Sequence, residues 1–159
     1  MNKDNLTKLI ERLLAEGGGP GPEHDRLQSD LKSWAVDRGF TVEHSSFKSG
    51  ARPDVLRSDA RKAYLLCGDA KDSSNETVDT SDTLKRNRGY FDEYASLLGD
   101  NGFAGGHLAV ATNSEAEAKR WMPVLNTLAS SAGIIGEGGT PPDFRIVNLS
   151  GKSTWVVYW

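Results

Sequence analysis

Asp69 and Lys71 lie two residues apart at the end of the run Tyr64-Leu65-Leu66-Cys67-Gly68-Asp69-Ala70-Lys71. Side chains alternate faces along an extended strand, so a carboxylate and an ammonium project side by side from one face. Pro53-Asp54 heads the short apolar run that precedes it. If the two runs pair as a hairpin, a second carboxylate comes within reach of the same point. Two hard oxygen ligands beside a lysine point to a divalent cation, Mg²⁺ or Mn²⁺, working on a phosphodiester. The ion would neutralise phosphate and activate water, while the lysine orients the nucleophile or stabilises charge in the transition state.

These residues need a frame, and the hydrophobic pattern supplies one. Residues 62–71 carry their charges at the ends and an apolar run between, the mark of a central strand buried on both faces. Residues 52–56 form the strand before it, with Ser58-Asp59-Ala60 as the turn, and 41–47 have partial strand character. Pro22 to Arg38 reads as a helix started by proline and stopped by Gly39, with Leu27, Leu31, Trp34 and Ala35 as its core stripe. After a polar loop over 72–80, residues 81–98 form a helix closed by Gly99, and 106–112 a buried strand. Ser114 and Glu117 form a capping box that starts a helix reaching about Ser131, which Pro123 should bend or split. Residues 136–142 are a loop, and 144–149 and 154–159 read as a hairpin around Ser150-Gly151-Lys152. A separate short helix over 5–16 and a Gly/Pro hinge make up residues 1–21, leaving 22–159 as one domain. The expected class is α/β, a central mixed sheet flanked by helices.

With Pro53-Asp54 and Asp69-Ala70-Lys71 fifteen positions apart between the aspartates, the chain resembles the PD-(D/E)xK nuclease superfamily. The resemblance implies a restriction-endonuclease-like αβββαβ core, the order read from Pro22 to Thr112, with an extra C-terminal helix and β-hairpin. It further implies that Asp54 and Asp69 are metal ligands, that the Ala70 carbonyl is another, and that Lys71 is the catalytic lysine. Members often add an acid from the helix before the strands. Glu23, Leu27, Leu31 and Trp34 are spaced four, four and three apart, so Glu23 extends the core-facing stripe and is either that acid or a first-turn acid favoured by the helix dipole, with Asp30 as second choice for the site. Arg86 and Tyr90 have the spacing at which some relatives place a glutamine and a tyrosine, without the glutamine. The implied partner is nucleic acid, DNA in preference, and superfamily members that cut both strands often work as dimers. A catalytically inactive module of this fold, binding nucleic acid or a protein, is the alternative.

Around this cluster, Ser73 in the polar loop, Lys85 and Arg86 at the start of the next helix, and Tyr90 are the candidate substrate contacts. Arg88 belongs with that basic group, and Tyr90 and Tyr94 are suited either to stacking on bases or to holding the strand of Lys71. Other chemistries find little support. His24, His44 and His107 lack metal-ligand spacing, although His24 adjoins Glu23. No serine or cysteine has nucleophile-elbow spacing, and the segment Gly17 to Pro22 lacks the Gly-Lys-Ser/Thr ending of a phosphate loop. The single cysteine, Cys67, excludes an internal disulfide and a CxxC zinc site. A net charge of -3 argues against coating nucleic acid by electrostatics alone but not against cutting it. The absence of an apolar run near 20 residues and the polar start Met1-Asn2-Lys3-Asp4 lead to the expectation of a soluble, cytoplasmic protein without a membrane span.

Overall fold

Pro22 opens helix α1 (Pro22–Asp37) where its missing N–H costs nothing, and Glu23 and Asp25 place negative charge in the first turn. Leu27, Leu31 and Ala35, at helical spacing, are fully buried, while Trp34 is half-buried with its ring edge-on to Tyr158. The computed structural model describes residues 21–44, 53–74 and 77–159. The expected helix over 5–16 and nearly all of the hinge lie outside the described residues, as do residues 45–47 and Arg52 of the expected strands.

The next three strands form an antiparallel meander: β1 (Val42–Glu43), β2 (Val55–Ser58) and β3 (Tyr64–Lys71). β2 starts one residue after Asp54 and runs through Ser58. The turn expected from Ser58 therefore shifts to Asp59–Lys62, where Lys62 takes φ 56° and donates its amide to the Asp59 carbonyl. Helix α2 (Thr80–Asp100) crosses over to β4 (Gly105–Thr112), which runs parallel to β3 in register from Tyr64↔Gly105 to Lys71↔Thr112. The helix passes through Gly99 and ends at Asp100, two residues before Gly102, where φ reaches 71°. Helix α3 (Glu115–Ala132) and a 3₁₀ turn at Glu137–Gly139 lead to the hairpin of β5 (Arg145–Asn148) and β6 (Trp155–Tyr158). β6 pairs antiparallel with β4, giving a mixed six-stranded sheet in the order β1-β2-β3-β4-β6-β5. From α1 to β4 the order is helix, three strands, helix, strand.

Alternation along β3 sorts the two layers. Leu65 and Cys67 pack with Phe91, Tyr94 and Trp121 under α2 and α3, whereas Leu66 packs with Leu31 and Ala35 under α1. Helix α1 approaches the sheet so closely that a Cβ on Gly68 would stand 3.1 Å from both the Leu31 side chain and the Ala109 carbonyl. The expected split of α3 does not occur. Pro123 sits inside one continuous helix, whose buried Trp121, Val124, Leu125, Leu128 and Ala129 offset the cost of an interior proline, about 3 kcal/mol.

Only half of the expected capping box is present. Ser114 Oγ accepts the Glu117 amide at 3.3 Å, but the Glu117 carboxylate turns away to accept Val78 N at 2.9 Å and Arg120 at 2.6 Å. It thereby ties the β3–α2 loop to α3. Ser114→Ala should cost about 1 kcal/mol and lower Tm by about 2–4 °C, as read by thermal unfolding.

Burial and the nearby Lys62 hold the His44 imidazole below its usual range, and burial does the same to His107. Around pH 6 the unfolded chain therefore binds more protons than the folded one. These histidines contribute stability that is complete above their unfolded pKa of about 6.5 and is lost as pH falls below it. Tm should drop between about pH 7 and about pH 5, and the drop should be smaller in His44→Gln; an equal drop in the variant would remove His44 from the account.

Candidate functional site

β2 pairs with β3 only as far as Val55↔Gly68, so the next amide along β3, that of Ala70, has no backbone partner on β2. Asp54 supplies one with its side chain: Oδ2 accepts Ala70 N at 2.8 Å. In return Asp69 Oδ1 accepts the Asp54 amide at 3.2 Å. The two aspartates thus clasp the open end of the β2–β3 ladder, each through the other strand's main chain. The N–H and C=O of one strand residue share an edge, so the Ala70 carbonyl lies on the side occupied by Asp54. Lys71 continues on the face of Asp69, where both line a small cavity with Asn87, Tyr90 and Trp121.

Helix α1 grips the same clasp from the side. His24 Nε2 lies 3.2 Å from Asp54 Oδ2, and Gln28 donates to the Asp54 carbonyl at 3.2 Å. Neither contact was anticipated for Asp54, although the signal was available: His24 precedes Leu27 by three and Leu31 by seven, and Gln28 follows His24 by four. Beyond the strand ends, Asn113 Oδ1 accepts from the Ser73 amide and hydroxyl at 3.0 and 2.6 Å, while its NH₂ donates to Asp72 at 3.1 Å. Asn113 also carried no mark in the sequence, since it joins the cluster only because β4 lies beside β3. The N-termini of α1, α2 and α3 all open at this carboxyl end of β3 and β4, where helix dipoles favour phosphate. A crevice outside the carboxyl ends of parallel strands is the usual ligand site of an open α/β sheet.

The structure separates the remaining candidates. Glu23 does not extend the buried stripe: its side chain is 43% exposed and pairs with Arg26, one turn on. That guanidinium holds the Glu23 carboxyl below the usual carboxylate range, with Asn113 assisting and Asp72 opposing, so Glu23 stands near Asn113 and Asp72 with its carboxylate engaged by Arg26. Asp30 is buried at the far side of α1, where it accepts from Lys152 and Thr154, both at 2.7 Å, and from Arg26 at 3.2 Å. Burial alone would raise its pKa; those three donors bring it below the usual range. Asp30 fastens the β5–β6 turn to α1.

On α2 the basic candidates diverge. Lys85 and Arg88 line the seam with Thr127 and Ser131 of α3, and Arg86 is exposed, donating to the Asp82 carbonyl. Tyr90 packs on the face of β3 that carries Asp69 and Lys71, its hydroxyl 2.7 Å from Cys67 Sγ, and burial followed by the influence of Cys67 and Asp69 pushes the phenol far above its usual range.

Among the described residues, no three His, Cys, Asp or Glu side chains are gathered closely enough to hold a metal by side chains alone. A Mg²⁺ site asks less of the protein. It commonly uses one or two carboxylates and completes its six oxygens with substrate phosphate and water. Asp54, Asp69 and the Ala70 carbonyl fit that donor set.

Compared with protein-family models, with curated proteins and with solved structures, the chain matches none. The described helices include none long and apolar enough to cross a membrane.

Proposed function

We propose that the chain is a divalent-cation-dependent nuclease of the PD-(D/E)xK type, with a restriction-endonuclease-like core, hydrolysing phosphodiester bonds in DNA in preference to RNA. The observation that carries this reading is the clasp of Asp54 and Asp69 on adjacent strands, with Lys71 on the face of Asp69. Asp54, Asp69 and the Ala70 carbonyl would hold the cation. When bound, Mg²⁺ or Mn²⁺ supplies charge neutralisation at the scissile phosphate and a water that ionises near neutral pH. Lys71 places its ammonium beside the same phosphate, where it stabilises the charge that develops and orients the nucleophile. His24 and Gln28 keep Asp54 in position, as partners behind a ligand do in metal sites.

The test is incubation with duplex, nicked, branched and single-stranded DNA and with RNA, in Mg²⁺ or Mn²⁺ and in chelator. Cation-dependent cleavage with DNA favoured is the expected result. One observation favours the non-catalytic alternative: one oxygen of each aspartate already accepts a main-chain amide, as a purely structural clasp would require. No cleavage, no heat of Mn²⁺ binding, and nucleic-acid binding indifferent to chelator would establish that reading in place of the enzyme.

A further inference from the structure

At the other end of the sheet, the amino ends of β3 and β4 frame a second depression of about 330 Å³. This falls within the range of small-molecule sites, roughly 300–1,000 Å³. It opens beside Tyr64, seven residues before Lys71 on β3, so at roughly 3.3 Å per residue it lies about 23 Å from Lys71. The two sites therefore stand or fall separately.

The floor of the depression is aromatic. His107 lies edge-on to Phe40 at 5.4 Å and to Tyr64 at 5.9 Å between ring centroids. The rim carries both signs of charge, Arg38 and Arg61 with Asp59 and Glu137. Two of these groups are held before any ligand arrives. The Arg38 guanidinium rests over the Trp34 and Tyr158 rings at 5.0 and 4.7 Å, and Asp59 accepts the Ala63 amide at 2.8 Å.

A simple anion is a poor match, because two carboxylates offset the two guanidiniums. An apolar ligand fails as well, since it would desolvate all four charges without pairing them. A flat, uncharged group with donors on one edge and acceptors on another satisfies every feature. Guanine is such a group: its N–H donors suit a carboxylate, O6 and N7 suit a guanidinium, and its face suits an aromatic floor. We propose that this pocket binds an unstacked guanine base, presented by a mononucleotide or by a single strand.

Titration of the intrinsic tryptophan fluorescence would test this, using GMP, AMP, CMP, ribose 5-phosphate, and short single-stranded oligonucleotides with and without one guanine. Saturation by GMP in preference to AMP and CMP, with no response to ribose 5-phosphate, assigns the free nucleotide. Saturation only by the guanine-containing oligonucleotide assigns the strand. In either case Glu137→Gln and Arg61→Ala, both at exposed positions, should weaken binding about tenfold or more, while Asp69→Asn should leave it unchanged. Absence of saturation by either ligand, equal affinity for all bases, indifference to both rim variants, or sensitivity to Asp69→Asn would overturn the proposal.

Discussion

Asp69→Asn is expected to abolish cation-dependent cleavage, by a factor on the order of 10³ or more, the loss that follows removal of a principal electrostatic contributor to a transition state. The substitution is informative because an Asn carbonyl can still accept the Asp54 amide that Asp69 Oδ1 accepts at 3.2 Å. The clasp then survives while one negative charge disappears, so activity and cation affinity should collapse with little change in Tm. Lys71→Ala should lose activity on a similar scale but retain Mn²⁺ binding, because the lysine is placed to act on phosphate. His24→Ala should fall between these variants and the parent, at about 10–100-fold, as expected of a group that orients a ligand. Cleavage that persisted in Asp69→Asn and in Lys71→Ala would remove the assignment; a calorimetric titration with Mn²⁺ separates the loss of binding from the loss of chemistry.

Tyr94→Ala should produce the largest loss of stability of any substitution considered, about 3–5 kcal/mol. Tyr94 is fully buried, and its hydroxyl lies 2.5 Å from the Leu65 carbonyl and 3.0 Å from the His107 carbonyl, crossing from β3 to β4. Gly106 makes room for it: a Cβ there would stand 2.7 Å from that hydroxyl and 2.7 Å from a methyl of Leu98. Tyr94→Phe keeps the ring and removes the donor, for about 1–3 kcal/mol. Gly106→Ala keeps the donor and displaces the ring, for about 1–3 kcal/mol. Because both act on one contact, the double variant should cost less than the sum of the singles. Denaturant unfolding measures all four; strict additivity would show that Tyr94 and Gly106 act independently.

The elements bearing the clasp could be read in advance because two simple periods describe them. The unbroken apolar run of β3, the turn chemistry near Asp59 and the 3.6-residue stripe of α1 each arise within a few residues of chain. The same locality explains the errors. The continuity of α3 through Pro123 follows from burial against the sheet, which outweighs a local penalty and has no local signature. Glu23 and His24 lie on neighbouring positions of one helical turn, and helical spacing alone does not separate them. The position of Asp54 at the ladder's end selects His24, while Arg26 takes Glu23.

Residue order alone places a carboxylate and a lysine on one strand face, and an aspartate at the head of the preceding strand. Alternation and spacing are properties of the chain alone. Tertiary structure decided what those residues meet. The β2–β3 ladder ends one rung before Ala70, so Asp54 completes it; α1 crosses that end, so His24 and Gln28 hold Asp54; β4 lies parallel to β3, so Asn113 joins Ser73 and Asp72. Each of these contacts joins positions at least 26 residues apart except the one that Asp54 makes with Ala70, and all depend on strand pairing and helix docking.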